Sequence, residues 1–183
     1  MNQTSVERGR SRDTRALAYG AMLWLRGLLF TLFVPGVVAI AGPAWIDPSR
    51  TLAGGWWGSG WVIVALGVSI YLFCLLRFLA AGGTPMIFFA RPLRWLVGEE
   101  PRALVTRGLY RVSRNPMYLG VLTTIAGQAV VFASPRIASY LLMVAVTFHL
   151  VVVFIEEPHL RRVNGAAYEA YLRRVPRWLG RPR

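Results

Sequence analysis

Two adjacent carboxylates, Glu156 and Glu157, are the residues whose type and position most directly indicate chemistry. They follow the last long apolar stretch of the sequence, where a transmembrane helix would leave the bilayer at its C-terminal end. The helix dipole disfavours negative charge there, and ionisable groups near hydrocarbon are costly and tend to be functional. The pair therefore predicts either a functional site or a helix anchor, in which the acids pair with Arg161, Arg162 or an arginine of the middle loop.

A second candidate site lies in residues 107–120, which combine turn-forming, capping, cationic and aromatic residues. They include Gly108, Tyr110, Arg114, Asn115, Pro116, Tyr118 and Gly120. Gly108 permits a tight turn, Pro116 suits the first turn of a helix, and Asn115 is a good N-cap. A helix N-terminus beside Arg114 is suited to binding a carboxylate or phosphate. The alternative is a juxtamembrane basic segment that binds anionic lipid headgroups.

Three further side chains are weaker candidates. Tyr168 and Tyr171 are three residues apart, so they share one helix face, as ligand contacts or as interfacial anchors would. His149 lies seven residues before Glu156, on nearly the same face, and could reach the same site or bond a neighbouring helix. Glu156 and His159 have the spacing of a di-iron motif, but no second copy follows, so a metal site is not predicted.

The composition places these residues in a membrane protein. The chain has 183 residues, of which 55% are hydrophobic and 16% charged, with a formal net charge of +13. A mean hydropathy of +0.47 excludes a soluble nucleic-acid-binding protein and a disordered basic tail. The single cysteine, Cys74, excludes an intrachain disulfide. The expected fold is an all-α integral membrane protein with one membrane domain.

Four apolar stretches predict transmembrane helices, because about 20 helical residues cross the hydrocarbon. They cover residues 17–41, 57–79, 118–133 and 137–155. The break between the last two is so short that it predicts an antiparallel helical hairpin.

Three segments lie on one side of these helices, namely 1–16, 80–117 and 156–183, and the links 42–56 and 134–136 lie on the other side. Eighteen of the 21 arginines fall within or next to the first three segments, so the positive-inside rule predicts that both termini and the middle loop are cytoplasmic. Within them, the sequence predicts a short interfacial helix over 93–97 and a helix over 159–172 that ends before Pro176.

The ordered motifs of this sequence resemble those of the isoprenylcysteine carboxyl methyltransferase and phospholipid methyltransferase family of integral membrane enzymes. The resemblance covers about residues 60 to 180. Its motifs are Gly83-Thr84-Pro85, Leu104-Val105, Gly108-x-Tyr110-x-x-x-Arg114-Asn115-Pro116-x-Tyr118-x-Gly120, Glu156-Glu157-x-x-Leu160, Gly165-x-x-Tyr168-x-x-Tyr171 and Val175-Pro176-Arg177.

The resemblance implies an S-adenosylmethionine-dependent methyltransferase of the bacterial inner membrane. It implies a cofactor site that opens to the cytoplasm and is formed by Gly108, Tyr110, Arg114, Asn115, Pro116, Tyr118, Gly120, Glu156 and Glu157. In this interpretation Glu156 is the base if the methyl acceptor is an amine, whereas Arg114 or Arg177 orients a carboxylate acceptor. His149, Tyr168 and Tyr171 are assigned to the substrate.

The expected acceptor is a lipophilic small molecule that enters from the bilayer. Membrane lipids are also expected partners, neither nucleic acid nor metal is predicted, and the sequence does not identify protein partners. Two alternatives stay open: a phospholipid N-methyltransferase acting on an ethanolamine headgroup, and a non-catalytic membrane protein whose pocket binds a ligand.

Overall fold

The computed structural model describes residues 20–52, 54–55, 57–83 and 104–180. These residues form five helices and one 3₁₀ turn, with no strand among them. The helices are α1 (Gly20–Ile46), α2 (Trp57–Ala80), α3 (Pro116–Val131), α4 (Pro135–Val151) and α5 (Glu157–Leu172), and the turn is Gly108–Arg111. The predicted segment 1–16 and the predicted short helix 93–97 lie outside the described residues.

Three helices are long and apolar enough to cross a membrane: α1, α2 and the continuous helix from Pro135 to Leu172, which comprises α4 and α5. The fourth, α3, is a shorter apolar helix of 16 residues. The expectation of an all-α membrane protein is therefore confirmed. The first helix continues to Ile46, five residues past its predicted end, because a π-helical turn at Val37–Ala41 leads directly into a further helical turn.

The α2 and α3 helices are antiparallel and touch through paired glycines. A Cβ added at Gly60 would lie 2.6 Å from the backbone nitrogen of Val131, and one added at Gly67 would lie 2.7 Å from the carbonyl oxygen of Gly120. The relationship is reciprocal, since a Cβ at Gly127 would lie 2.8 Å from the carbonyl oxygen of Gly60. Small residues let transmembrane helix backbones approach this closely.

Hydrogen bonds attach α1 to this pair. The π-helical turn leaves carbonyl groups available to neighbouring helices: Nε2 of Gln128 donates to the carbonyl oxygen of Ala39 at 2.6 Å, and the Tyr140 hydroxyl donates to that of Val38 at 2.9 Å. Unsatisfied carbonyls are costly in hydrocarbon, so these bonds stabilise the irregular turn. The hydroxyls of Thr31 and Tyr71 form a further interhelical bond of 2.8 Å.

The predicted α3–α4 hairpin is confirmed, and a polar cluster holds its turn. Ser134 accepts a hydrogen bond from the backbone N–H of Ile137 at 3.3 Å, which caps α4, and its hydroxyl donates to Oδ2 of Asp47 at 2.5 Å. Asp47 follows α1 and also pairs with Arg136 at 3.3 Å. The Ser134 hydroxyl, above all, lowers the pKa of Asp47 below its usual value. This Asp47 end is opposite to the end that carries Glu156 and Glu157.

Candidate active site

The segment before α3 is shaped by a glycine in the left-handed region. Gly108 has φ +66° and opens the 3₁₀ turn, and a Cβ there would lie 2.8 Å from Cε1 of Phe73 on α2. The turn buries Tyr110, whose ring packs edge-on against Phe78 with centroids 5.7 Å apart. Burial raises the pKa of the Tyr110 hydroxyl well above its usual value. The backbone turn expected at Gly108 is thus confirmed.

A second π-helical turn, Val152–Glu156, joins α4 to α5. One extra residue per turn changes the direction of the side chains that follow it. The two acids consequently have different neighbours: Glu157 is buried, with its carboxylate among arginines, whereas Glu156 is partly exposed and faces α3.

Glu157 is the centre of an ion-pair network. Its Oε1 accepts from Nη1 of Arg114 at 2.9 Å and from Nε of Arg177 at 2.6 Å, while Nη2 of Arg177 donates to Oε2 at 3.0 Å. Arg161 lies farther away, at 3.9 Å. The Glu157 side chain is only 4% exposed, and its hydrogen bond raises the pKa of Arg177. For Glu157, this geometry matches the helix-anchor interpretation, with partners from the middle loop and the tail.

Arg114 is buried beside this network and retains bonding capacity. Its side chain is 10% exposed, and Nε is buried with no hydrogen-bond partner among the described residues. Its backbone N–H donates to the carbonyl oxygen of Pro176 at 3.0 Å. A buried guanidinium N–H without a partner costs free energy, and an anionic group at this position would satisfy it.

Glu156 is joined to α3 through Tyr118. The Tyr118 hydroxyl donates to Oε2 of Glu156 at 3.1 Å. Its ring packs against Phe148 of α4 with centroids 4.7 Å apart, and Trp178 of the tail approaches it edge-on at 6.5 Å. The Glu156 carboxylate therefore lies next to aromatic rings, an environment that suits a cationic group.

Asn115 occupies the N-cap position of α3, as predicted, but its side chain makes no capping hydrogen bond. The expected role of the side chain was wrong, because the amide turns towards the C-terminal tail. Its Nδ2 donates to the carbonyl oxygen of Arg177 at 2.9 Å, and Ser113 Oγ donates to the same oxygen at 3.3 Å. Asn115 thus joins the start of α3 to the tail.

The tail continues from a helix that ends at Leu172, before Pro176, as predicted. Gly165 interrupts this helix with φ +48° and ψ −127°, so the two tyrosines lie on its second part. The Tyr171 hydroxyl donates to the carbonyl oxygen of Tyr110 at 2.7 Å, and Tyr168 is buried beside Tyr171 with ring centroids 6.1 Å apart. These contacts hold the tail against the 3₁₀ turn.

His149 bonds the tail rather than a neighbouring membrane helix. Its Nδ1 accepts from the indole N–H of Trp178 at 3.1 Å, and the two rings stack at 6.3 Å. Sequence reasoning missed both Trp178 and Ser113. Trp178 directly follows the Val175-Pro176-Arg177 motif, and this position could have marked it as a candidate site residue. Nothing in the sequence indicated that the tail returns to α4.

Most predicted site residues meet at this end of the bundle. They are Tyr110, Arg114, Asn115, Tyr118, His149, Glu156, Glu157, Tyr168, Tyr171 and Arg177. Three others have structural positions: Gly108 lies against Phe73, Pro116 is the buried first residue of α3, and Gly120 contacts the α2 backbone, where a Cβ would lie 2.8 Å from the nitrogen of Tyr71. Within the described ranges, no group of three His, Cys, Asp or Glu side chains could hold a metal ion.

Apolar helices with a cluster of arginine, glutamate and aromatic side chains at one end define an integral membrane protein with a polar site at its helix termini. Residues 88–167 match the family model described as phospholipid methyltransferase. A protein-S-isoprenylcysteine O-methyltransferase B of Arabidopsis thaliana is 35% identical over 78 residues, which make up 43% of this chain and 40% of that relative. No solved structure gives a significant match. The match over residues 88–167 and the similarity to this relative support the resemblance found in the motifs, and the chain spans about two fifths of the length of the relative that it matches.

Proposed function

We propose that this protein is an S-adenosylmethionine-dependent methyltransferase whose acceptor is a lipophilic molecule from the bilayer. One observation carries the proposal. The family segment brings Arg114 within 2.9 Å of Glu157, 43 residues away in sequence, and places Glu156 beside the aromatic ring of Tyr118. We further propose that this end of the bundle faces the cytoplasm, since the arginines concentrate there.

The residues at this end suit a cofactor that carries both charges. Nε of Arg114, which has no hydrogen-bond partner in the part of the chain that the structure describes, suits a carboxylate, and Glu156 with the Tyr118 ring suits an ammonium or sulfonium group. When bound, the cofactor supplies a methyl group on a sulfonium. We propose that Tyr110, Arg114, Asn115, Tyr118 and Glu156 hold it. Glu157, whose carboxylate is taken up by arginines, would keep Arg114 and Arg177 in place.

Methyl transfer is an in-line displacement, so the main tasks of the protein are to align the acceptor and to exclude water. An amine acceptor must lose a proton, and Glu156 is the carboxylate placed to take it. A carboxylate acceptor is already nucleophilic and needs only a cation to orient it. Arg177 could do so, because Glu157 holds its guanidinium through two hydrogen bonds.

A second candidate is a phospholipid N-methyltransferase that acts on an ethanolamine headgroup. The family match by its description and the carboxylate of Glu156 beside an aromatic ring favour it. Labelled methyl incorporation separates the two candidates: the first predicts label in a lipophilic acceptor other than a phospholipid, such as a prenylated carboxylate, and the second predicts label in phosphatidylethanolamine.

Calorimetry on the purified protein in detergent tests the proposal. We expect S-adenosylmethionine to bind the parent protein and to bind Glu156→Gln about tenfold more weakly, the cost of one charge-assisted hydrogen bond. Glu169→Gln is the matched control, since Glu169 is an exposed acid on α5 whose carboxylate pairs with Arg161. Absence of binding to the parent, with Glu156→Gln indistinguishable from it, would instead support a non-catalytic protein.

A further inference from the structure

We infer that Trp178, held by His149, is the residue that determines which methyl acceptors can reach Glu156. The inference rests on the proposed function and assigns the acceptor-selecting element of the same site. It starts from a contact that crosses between the tail and α4, where the indole N–H of Trp178 donates to Nδ1 of His149 at 3.1 Å.

Trp178 is fixed from two directions. On the tail side, the carbonyl of the preceding residue, Arg177, accepts hydrogen bonds from Asn115 and Ser113, and its guanidinium is bound by Glu157. On the other side, the indole N–H is bonded to His149. These two sets of contacts fix the position of the Trp178 ring.

The Trp178 ring contacts both α3 and α4, close to Glu156, the proposed base. The Trp178 ring meets Tyr118 of α3 edge-on at 6.5 Å and stacks on His149 of α4 at 6.3 Å. Tyr118 in turn donates its hydroxyl to Glu156. We infer that an acceptor moving from the hydrocarbon towards Glu156 has to pass the Trp178 ring, because this ring lies against both Tyr118 and His149.

The pairing with His149 also has a physical reason. His149 is exposed on α4, a helix whose other exposed side chains are largely apolar, such as Leu142, Val146 and Leu150. A polar nitrogen beside hydrocarbon is costly unless it is bonded, and so is an indole N–H. Each group satisfies the other, so the loss of either partner releases the ring.

Methyl-transfer kinetics with a graded acceptor series test the inference. The probes are N-acetylcysteines that carry geranyl, farnesyl or geranylgeranyl chains, and vesicles of phosphatidylethanolamine. We expect Trp178→Ala to change the ratio of kcat/KM between the bulkiest and smallest acceptors by roughly tenfold or more, since pocket size discriminates on this scale. S-adenosylmethionine binding should stay unchanged. Trp178→Phe keeps the ring but removes the N–H, and should change the ratio in the same direction by less.

The partner variants separate a selecting role from a merely structural one. His149→Leu should reproduce the effect of Trp178→Phe, and the double variant should add nothing further, because both single changes break the same bond. His149→Gln retains an acceptor and should restore the parent ratio. An equal loss of activity towards every acceptor, or an unchanged ratio in Trp178→Ala, would overturn the inference while leaving the methyltransferase proposal intact. Absence of transfer to every probe by the parent would overturn both.

Discussion

The hydroxyl of Tyr118 donates to the carboxylate of Glu156 at 3.1 Å, which joins the start of α3 to the π-helical turn that follows α4. The adjacent acid, Glu157, faces the arginines instead. Two neighbouring carboxylates thus have different environments, and this difference leads to distinct expectations for their substitution.

Glu157→Gln should lower stability more than any other single change at this end of the bundle. Removing one partner from a buried ion pair leaves uncompensated charge and costs about 3 kcal/mol or more. Glu169→Gln removes a surface ion pair with Arg161 and should cost less than about 1 kcal/mol. Thermal melting of both variants in the same detergent measures the difference. Equal melting temperatures would contradict the anchoring role of Glu157.

Tyr118→Phe should weaken catalysis more than stability. The change removes the hydroxyl bonded to Glu156 and keeps the ring that packs against Phe148. If Glu156 acts on the acceptor, losing this bond should lower kcat by about tenfold, the equivalent of one hydrogen bond to a charged group. Steady-state methyl transfer gives kcat, with Tyr140→Phe on α4 as a control that loses a hydroxyl far from the site. An unchanged kcat would exclude this role for the bond.

The glycine contacts between α2 and α3 allow a matched test of packing. Gly67→Ala should destabilise the protein by about 1–3 kcal/mol, because the added Cβ would lie 2.5 Å from the backbone nitrogen of Thr124. Gly58→Ala, on the same helix, meets nothing within 4 Å and should be neutral or slightly stabilising. Thermal melting of the two variants compares the same chemical change at a crowded position and an open one. Similar destabilisation by both would argue against backbone contact.

Much of the helix layout follows from local sequence. Pro116 begins α3, and α5 ends before Pro176, because proline fixes its own backbone and lacks an N–H. An arginine partner of Glu157 from the middle loop was also predicted, and Arg114 is that partner, whereas Arg177 of the tail was not among the predicted partners.

The contact of the Asn115 side chain with the tail, in place of a capping bond, could not be predicted, because its partner is a carbonyl 62 residues away in sequence. The π-helical turn at Val37–Ala41 was not predictable either, because its carbonyl groups are bonded by Gln128 and Tyr140, which are distant in sequence.

Asn115→Ala tests whether this residue holds the tail or caps the helix. We expect faster hydrogen–deuterium exchange in residues 173–180, because the carbonyl of Arg177 loses a donor. Exchange within α3 should stay as in the parent, since the side chain makes no capping bond. Mass spectrometry of proteolytic fragments reports both segments in one experiment. Faster exchange confined to the first turn of α3 would show that Asn115 is a cap after all.

The Asp47 cluster predicts an acid limit to stability at the opposite end. The pKa of Asp47 is lowered in the folded protein, mainly by the Ser134 hydroxyl, so its stabilising contribution is present above the usual Asp range. This contribution begins to decrease as the pH falls below about 4, and it is lost once the pH is below the pKa of Asp47 in the folded protein. Asp47→Asn should flatten this part of a melting-temperature profile against pH. Ser134→Ala should reduce the pH range over which the melting temperature falls, because the pKa of Asp47 would then lie closer to its usual value. An unchanged profile in both variants would contradict the coupling between Asp47 and Ser134.

The short α3 helix, held to α2 by paired glycines, also fixes how deep the site lies. At 1.5 Å per residue, the 16 residues of α3 span about 24 Å, which is less than the roughly 30 Å of hydrocarbon. Where Gly67 meets Gly120, α2 has thirteen residues still to run, whereas α3 reaches its first residue after four. The start of α3 therefore lies about nine helical residues, roughly 14 Å, short of the end of α2 along the bundle. Under the proposed function, this offset would let the acyl or prenyl chain of an acceptor reach the polar site from the side of the bundle.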